Sequence, residues 1–189
     1  MKQRLAAGGL HRLLGSALLL ALLWSARADI GPGVSLRLLG IPLLALVLGP
    51  ALAIWSAALA AGLAMLLTRL SPEAALWSIL LYGVVPALLT DLARRAVAQW
   101  LPAHLFVYIL GAGFFSALVV AATTHLLVAA LVVASGAQGA AFMFGQYAPF
   151  LLLMAFGEAT LTGMLLTLLV VYQPQWVTTY QDAHYLGQD

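Results

Sequence analysis

Long uncharged stretches dominate this chain, and the last of them holds a single acid near its middle. Residues 147–172 contain one charged side chain, Glu158. About 20 apolar residues cross the hydrocarbon core of a bilayer, so this stretch is typical of a membrane-spanning helix. A charge at mid-bilayer costs about 2.5 kcal/mol or more, and Glu158 is therefore expected to be protonated, paired or facing a polar cavity.

Composition places the rest of the chain in the same class. Of its 189 residues, 64% are hydrophobic and only 7% are charged, whereas soluble domains have about 25% charged residues. A net charge of +2 is too small for a nucleic-acid interface, and the absence of cysteine excludes disulfides and thiolate metal sites. We expect an all-α, polytopic membrane protein with a single transmembrane domain over residues 1–189.

The first apolar run, residues 13–26, follows a basic start and is short for a span. Its small residues at 26 and 28 would suit a signal-peptide cleavage site. We favour an uncleaved first helix from Leu10 to Ala28, with Arg12 and Arg27 reaching the two interfaces. The Gly-Pro-Gly stretch that follows, residues 31–33, predicts a loop.

The next uncharged run, residues 38–68, is too long for one span and short for two. Its 31 residues would make a helix of roughly 46 Å. Gly49-Pro50 lies in its middle, and proline ends or kinks a helix at the preceding residue. This predicts a broken helix pair, a short helix near 36–48 and a second near 50–69. The alanines of the second helix favour close helix contact.

Two further helix signals follow along the chain. Ser71-Pro72 is typical of a helix start, with serine as the cap and proline at the first position. Farther along this helix, Asp91 precedes Arg94 and Arg95 by three and four residues, which predicts an ion pair on one helical face. We interpret these three charges mainly as an interfacial anchor. Another long helix is predicted from Leu105 to Ser135.

The arginines and the lysine suggest about six spans with both termini in the cytoplasm. Cytoplasmic loops carry an excess of basic residues. Six spans place five basic residues inside and three outside, whereas five spans give four on each side. The inside set is Lys2, Arg4, Arg12, Arg94 and Arg95, and the outside set is Arg27, Arg37 and Arg69.

His125 and Glu158 are the candidate polar pair inside the bundle. Each lies roughly 15–17 Å from the outer end of its predicted helix, and the two helices run antiparallel. We expect the two side chains to approach and share a proton, which offsets the cost of burying them. The pair would serve as a latch between helices, a proton site, or ligands of a cation with Met154 nearby.

Several stretches resemble the cobalt/nickel permease subunits of energy-coupling-factor ABC transporters, in a divergent proteobacterial branch. The stretches are residues 31–40 (GPGVSLRLLG), 48–50 (LGP), 156–163 (FGEATLTG) and 168–177 (LLVVYQPQWV). The resemblance implies a substrate-binding permease subunit in the bacterial inner membrane, with a transmembrane coupling subunit and ATPases as partners. It also implies a multi-pass helical fold.

The family's metal ligands are replaced in this chain. Members that bind metal have histidine at position 2 and in the loop before Leu-Leu-Gly, where this chain has Lys2 and Arg37. Neither an ammonium nor a guanidinium can ligate a divalent cation, because neither has a free lone pair. The chain also begins where the family's second span would. We therefore expect no metal site, and a fixed positive charge at Arg37 with Asp29 as its partner; a snorkelling interfacial arginine is the alternative.

Two functions remain open from the sequence. The first is a membrane-embedded permease subunit that binds a metal ion or another small solute. The second is a non-transporting accessory subunit packed inside a larger membrane complex, which the missing ligands favour. No Gly-x-x-x-x-Gly-Lys-Ser/Thr loop is present, and no nucleophile–base arrangement suggests an enzyme. No cofactor and no nucleic-acid partner are expected, and membrane lipids surround the chain.

Overall fold

The computed structural model describes residues 9–31, 34–68 and 71–180. Within them the chain forms six helical rods, one β-hairpin and a short 3₁₀ turn at Pro174–Trp176. The rods are α1 (Gly9–Ser25), α2 (Ile41–Leu48), α3 (Pro50–Thr68), α4 (Pro72–Trp100), α5 (Leu105–Ala134) and α6 (Ala140–Tyr172). The predicted all-α bundle, with its helix pair broken at Gly49-Pro50, is confirmed.

The surface of the bundle is apolar. Over the described residues, four helices are long and apolar enough to cross a membrane, namely α3, α4, α5 and α6. Their outward side chains are large and hydrophobic; Leu66 and Trp100 are 81% and 82% exposed. A contiguous apolar surface of this kind suits lipid and is rarely tolerated by a soluble monomer. The architecture is that of a polytopic membrane protein.

The second span is discontinuous. Where the sequence predicted a loop, two antiparallel strands pair as a hairpin, β1 (Ala28–Gly31) and β2 (Val34–Leu36). Residues 37–40 then continue without regular structure, and α2 supplies only eight helical residues before the break. Gly40 and Gly49 bound α2 with φ of +68° and +88°, a left-handed backbone that favours glycine.

The short helix α2 lies at the centre of the bundle, against α3, α4, α5 and α6. Its last carbonyls, which have no partner within the helix, accept hydrogen bonds from the chain that follows α6. The Thr178 N–H donates to the Val47 carbonyl at 2.9 Å, and the Thr179 hydroxyl donates to the Leu46 carbonyl at 2.6 Å. The residues after α6 therefore cap the C-terminal end of α2.

Small residues bring α3 close to α4, as the alanine pattern predicted. Ala53, Ala57 and Ala60 are completely buried. At Gly83 of α4, an added Cβ would lie 2.7 Å from the Ala57 Cβ, closer than real methyl groups approach. The Ala57 methyl group therefore lies directly against the Gly83 backbone, and small residues at helix contacts are usual in lipid.

Three π-helical turns interrupt the long helices of the described chain, at Leu80–Val84, Tyr108–Phe115 and Met143–Tyr147. Such turns insert an extra residue and recur at functional sites. Each contains one tyrosine directed into the core, and these are Tyr82, Tyr108 and Tyr147. No hydrophobic periodicity in the sequence predicted them.

The predicted local signals of α4 are confirmed. The Ser71 hydroxyl accepts a hydrogen bond from the Ala74 N–H at 3.2 Å, with Pro72 at the first helical position. Asp91 pairs with Arg94 at 2.8 Å and with Arg95 at 2.6 Å.

The two ends of the described chain meet on one face of the bundle. The Arg12 guanidinium, near the start of α1, lies over the Trp176 ring, 5.3 Å from its centre. Trp176 lies four residues after the end of α6. An even number of crossings brings both ends to one face, a condition that the four long apolar helices and the predicted six spans both meet.

Candidate functional site

The segment between the hairpin and α2 is the most constrained part of the structure. Leu39 is completely buried, and its carbonyl accepts a hydrogen bond from the Trp24 indole N–H at 3.0 Å. Gly40 is packed so closely that an added Cβ would lie 2.8 Å from a Leu23 methyl. Residues 37–40 thus pass through the core as non-helical backbone, whose polar groups need partners from elsewhere in the chain.

Glu158 supplies those partners. Its two carboxylate oxygens accept hydrogen bonds from the Leu39 N–H at 2.7 Å and the Gly40 N–H at 2.8 Å. The side chain is 1% exposed. These N–H groups lie at the N-terminus of α2, where the helix dipole favours negative charge. The expectation that Glu158 is paired is met by backbone donors, which lie about 120 residues earlier in the chain.

Arg37 occupies an aromatic cage on the hairpin side of this segment. Its guanidinium carbon lies 3.8 Å from the centre of the Tyr82 ring and 5.0 Å from that of Trp24. Nη2 donates a long hydrogen bond of 3.3 Å to the Ser78 hydroxyl. Within the part of the chain that the structure describes, the buried Nε–H has no acceptor. The side chain as a whole is half-buried.

His125 lies beside this cage and is 1% exposed. Its Nδ1 is 3.0 Å from the Tyr147 hydroxyl, so the two share a hydrogen bond. Its ring is also edge-on to the Tyr82 ring, with centres 6.4 Å apart. The same Tyr82 ring lies against the Arg37 guanidinium. Arg37 and His125 therefore belong to one polar cluster, which we call the Arg37 cage: Trp24, Arg37, Ser78, Tyr82, His125 and Tyr147.

The expected pairing of His125 with Glu158 is not formed. His125 hydrogen-bonds Tyr147, and Glu158 spends both oxygens on the backbone of residues 39 and 40. Residue spacing predicts the depth of each side chain along its helix but not its direction around the helix axis. Non-helical residues 37–40 also take up space in the core, and a continuous second helix would have shaped that space differently.

The other predicted site residues have separate roles. Met154 packs against the apolar cluster of Leu36, Met143 and Tyr147. The side chain of Asp29 lies outside the described residues, so its expected pairing with Arg37 stays a prediction. Among the described residues, no three His, Asp or Glu side chains converge as metal ligands.

Sequence reasoning missed most of the cage around Arg37. Ser78 and Tyr82 are four residues apart, so one face of α4 carries two polar groups inside an apolar stretch, and that spacing was the available signal. Trp24 and Tyr147 gave no comparable signal. Their contacts with Arg37 and His125 depend on the hairpin and on the π-helical turn at Met143–Tyr147.

No protein-family model, curated protein or solved structure matches the chain significantly. The resemblance to energy-coupling-factor permeases therefore stays a prediction from the quoted residues. Function must be argued from the Arg37 cage and the discontinuous second span.

Proposed function

We propose that the chain is the membrane-embedded, substrate-binding permease subunit of an energy-coupling-factor-type transporter in the bacterial inner membrane. The carrying observation is the discontinuous second span, in which non-helical residues 37–40 lead into the half-helix α2. Transporters build solute sites from such broken helices, because unwound backbone is tolerated in a membrane only where protein or a cavity surrounds it.

The polar groups beside non-helical residues 37–40 support a solute site there. Arg37, His125 and Ser78 gather on the hairpin side of α2, while the surrounding surface of the bundle is apolar. Ionisable residues inside membrane segments usually mark a solute or ion path. The guanidinium repels a metal cation and cannot ligate it, so the proposed substrate is a small solute other than a bare metal ion.

Partner subunits test this proposal. The chain has no phosphate-binding loop of its own, so transport requires separate ATPases and a coupling membrane subunit. Purification in mild detergent from the native membrane, followed by mass spectrometry, is expected to recover ATPase subunits in a fixed ratio to this chain. Recovery of a complex that lacks ATPases would contradict the proposal.

An accessory subunit is the second candidate, and one observation favours it. The Trp24 and Tyr82 rings already contact the Arg37 guanidinium, and Glu158 fixes the adjoining backbone. A site occupied by the chain's own side chain would serve a structural subunit equally well. In that case the same purification recovers a larger membrane complex, and loss of this chain reduces the yield of its partners.

A further inference from the structure

Arg37 has no acidic counterpart among the described side chains, which do not include that of Asp29. Asp91 pairs with Arg94 and Arg95 on α4. Glu158 is buried, and its two oxygens already accept hydrogen bonds from the Leu39 and Gly40 N–H groups. The aromatic rings stabilise the guanidinium through its faces, but they do not neutralise it. A desolvated charge without an opposite charge is costly to a fold.

The edge of the guanidinium is also incompletely satisfied. Among the described residues the buried Nε–H has no acceptor, and the neighbouring Nη2 donates a long hydrogen bond of 3.3 Å to Ser78. Nε and one Nη of an arginine form the fork that binds both oxygens of a carboxylate or phosphate. The Ser78 hydroxyl, which accepts from Nη2, can donate a further hydrogen bond.

We propose that the Arg37 cage binds an oxyanion, a carboxylate or phosphate group, through the guanidinium of Arg37. The Trp24 and Tyr82 rings hold this group in place, with their centres 5.0 and 3.8 Å from the guanidinium carbon. The assignment of the oxyanion to a transported solute rests on the proposed function. The binding of an oxyanion to this chain does not depend on that function.

Two sources could supply the oxyanion, a free solute or the headgroup of an anionic lipid. The purified chain is placed in phosphatidylcholine nanodiscs, without partner subunits, and titrated with inorganic phosphate or acetate against chloride at constant ionic strength. In a second arm, phosphatidylglycerol replaces part of the neutral lipid. The thermal unfolding midpoint and tryptophan fluorescence are measured, since Trp24 contacts Arg37 directly.

The variants separate a bound anion from general charge effects. Arg37→Gln keeps a polar side chain but loses the charge, and Arg95→Gln removes an equal charge from an exposed site on α4. Arg37→Lys keeps the charge without the fork. We expect saturable binding in the wild type and in Arg95→Gln, with affinity about tenfold or more lower in both Arg37 variants, because charge-assisted forked bonds are lost.

The outcomes are distinct. An Arg37-dependent response to phosphate or acetate supports a solute site, and a response to phosphatidylglycerol alone supports a lipid headgroup site. If wild-type protein shows no saturable response in either arm, or if Arg95→Gln loses it equally, the proposal is wrong. The wild-type titration decides this even where an Arg37 variant fails to fold. Recovery of ATPases is measured separately, so failure of the permease proposal would leave this result standing.

Discussion

Glu158 shows how one side chain makes an irregular segment possible inside an apolar bundle. It is completely buried, yet each of its oxygens has a backbone donor, at 2.7 and 2.8 Å. A carboxylate accepts hydrogen bonds through both oxygens, whereas an amide accepts through only one. Replacing the acid therefore tests whether residues 37–40 depend on it.

We expect Glu158→Gln to lower the free energy of unfolding by about 1–3 kcal/mol, because one buried N–H of Leu39 or Gly40 loses its acceptor. Glu158→Ala leaves both without one and is expected to cost more. Glu73→Gln makes the same chemical change at an exposed position on α4 and is the control. The measurement is unfolding in detergent, by heat or by a denaturing detergent. Equal stability of the Glu158 and Glu73 variants would refute the dependence.

At this scale the sequence predicted that Glu158 and His125 are buried polar groups at similar depth, and both are buried. It did not predict their partners. The bonds of Glu158 join residues 118 and 119 positions apart, and no local pattern encodes which distant backbone will be left without helical hydrogen bonds. The partners follow only once the second span is known to be unwound at residues 37–40.

Among the elements, α2 is exceptional because partners from α6 and the chain after it satisfy both of its ends. Glu158 accepts from the Leu39 and Gly40 N–H groups, which immediately precede α2, and Thr178 and Thr179 donate to its last carbonyls. Helices of eight residues are unstable by themselves. The hydrogen bonds at both ends, together with burial, therefore hold α2 in place.

Thr179→Val is expected to destabilise the protein by about 1–2 kcal/mol, because the buried Leu46 carbonyl and the Tyr108 hydroxyl both lose a partner. Thr178→Val is the matched control, since the Thr178 bond to Val47 uses the backbone N–H and survives the change. Thermal unfolding of the two variants side by side provides the measurement. A larger loss in the control would contradict the assignment.

The close contact between α3 and α4 leads to a second prediction about stability. Gly83→Ala is expected to cost about 1–3 kcal/mol, because the new methyl group would meet the Ala57 Cβ at 2.7 Å and force the helices apart. Gly15→Ala in α1, where no atom lies within 4 Å of the added methyl, is the control. Adding Ala57→Gly to Gly83→Ala should recover part of the loss. No recovery in the double variant would argue against a direct clash.

Element boundaries were predictable where a residue has a strong local effect. Gly49-Pro50 ends α2, and Ser71-Pro72 begins α4, as their backbone chemistry requires. The hairpin at residues 28–36 and the π-helical turns were not predicted. A π-helical turn changes only one step of the helical hydrogen-bonding pattern, so the sequence of an all-apolar helix does not reveal it. The turns are visible only because tyrosines such as Tyr147 point inward.

For the molecule as a whole, the arrangement of ends predicts membrane sidedness. The contact between Arg12 and Trp176 places both ends of the described bundle on one face. The loops between α3 and α4 and between α5 and α6 lie on the opposite face in a six-span topology. The distribution of basic residues predicts that the face with both ends is cytoplasmic.

Single cysteines can map this topology because the chain has none of its own. We expect Gln175→Cys and His104→Cys to react with an impermeant maleimide only after the cytoplasmic side is opened. Glu73→Cys is expected to react in intact cells. All three positions are exposed, so lack of labelling would reflect sidedness. Labelling of Glu73→Cys and Gln175→Cys from the same side would contradict the six-span topology.

The way α2 is capped has a consequence for how the protein is made. Ribosomes deliver the chain from its N-terminus, so α2 enters the membrane well before Glu158, Thr178 and Thr179 have been synthesised. Until then its end groups have no partner, and lipid offers none. The second span would therefore stay near water or the insertion machinery and take its final place after the last helix arrives. Chains that stop before α6 would keep this segment exposed, and proteases could recognise incomplete chains by it.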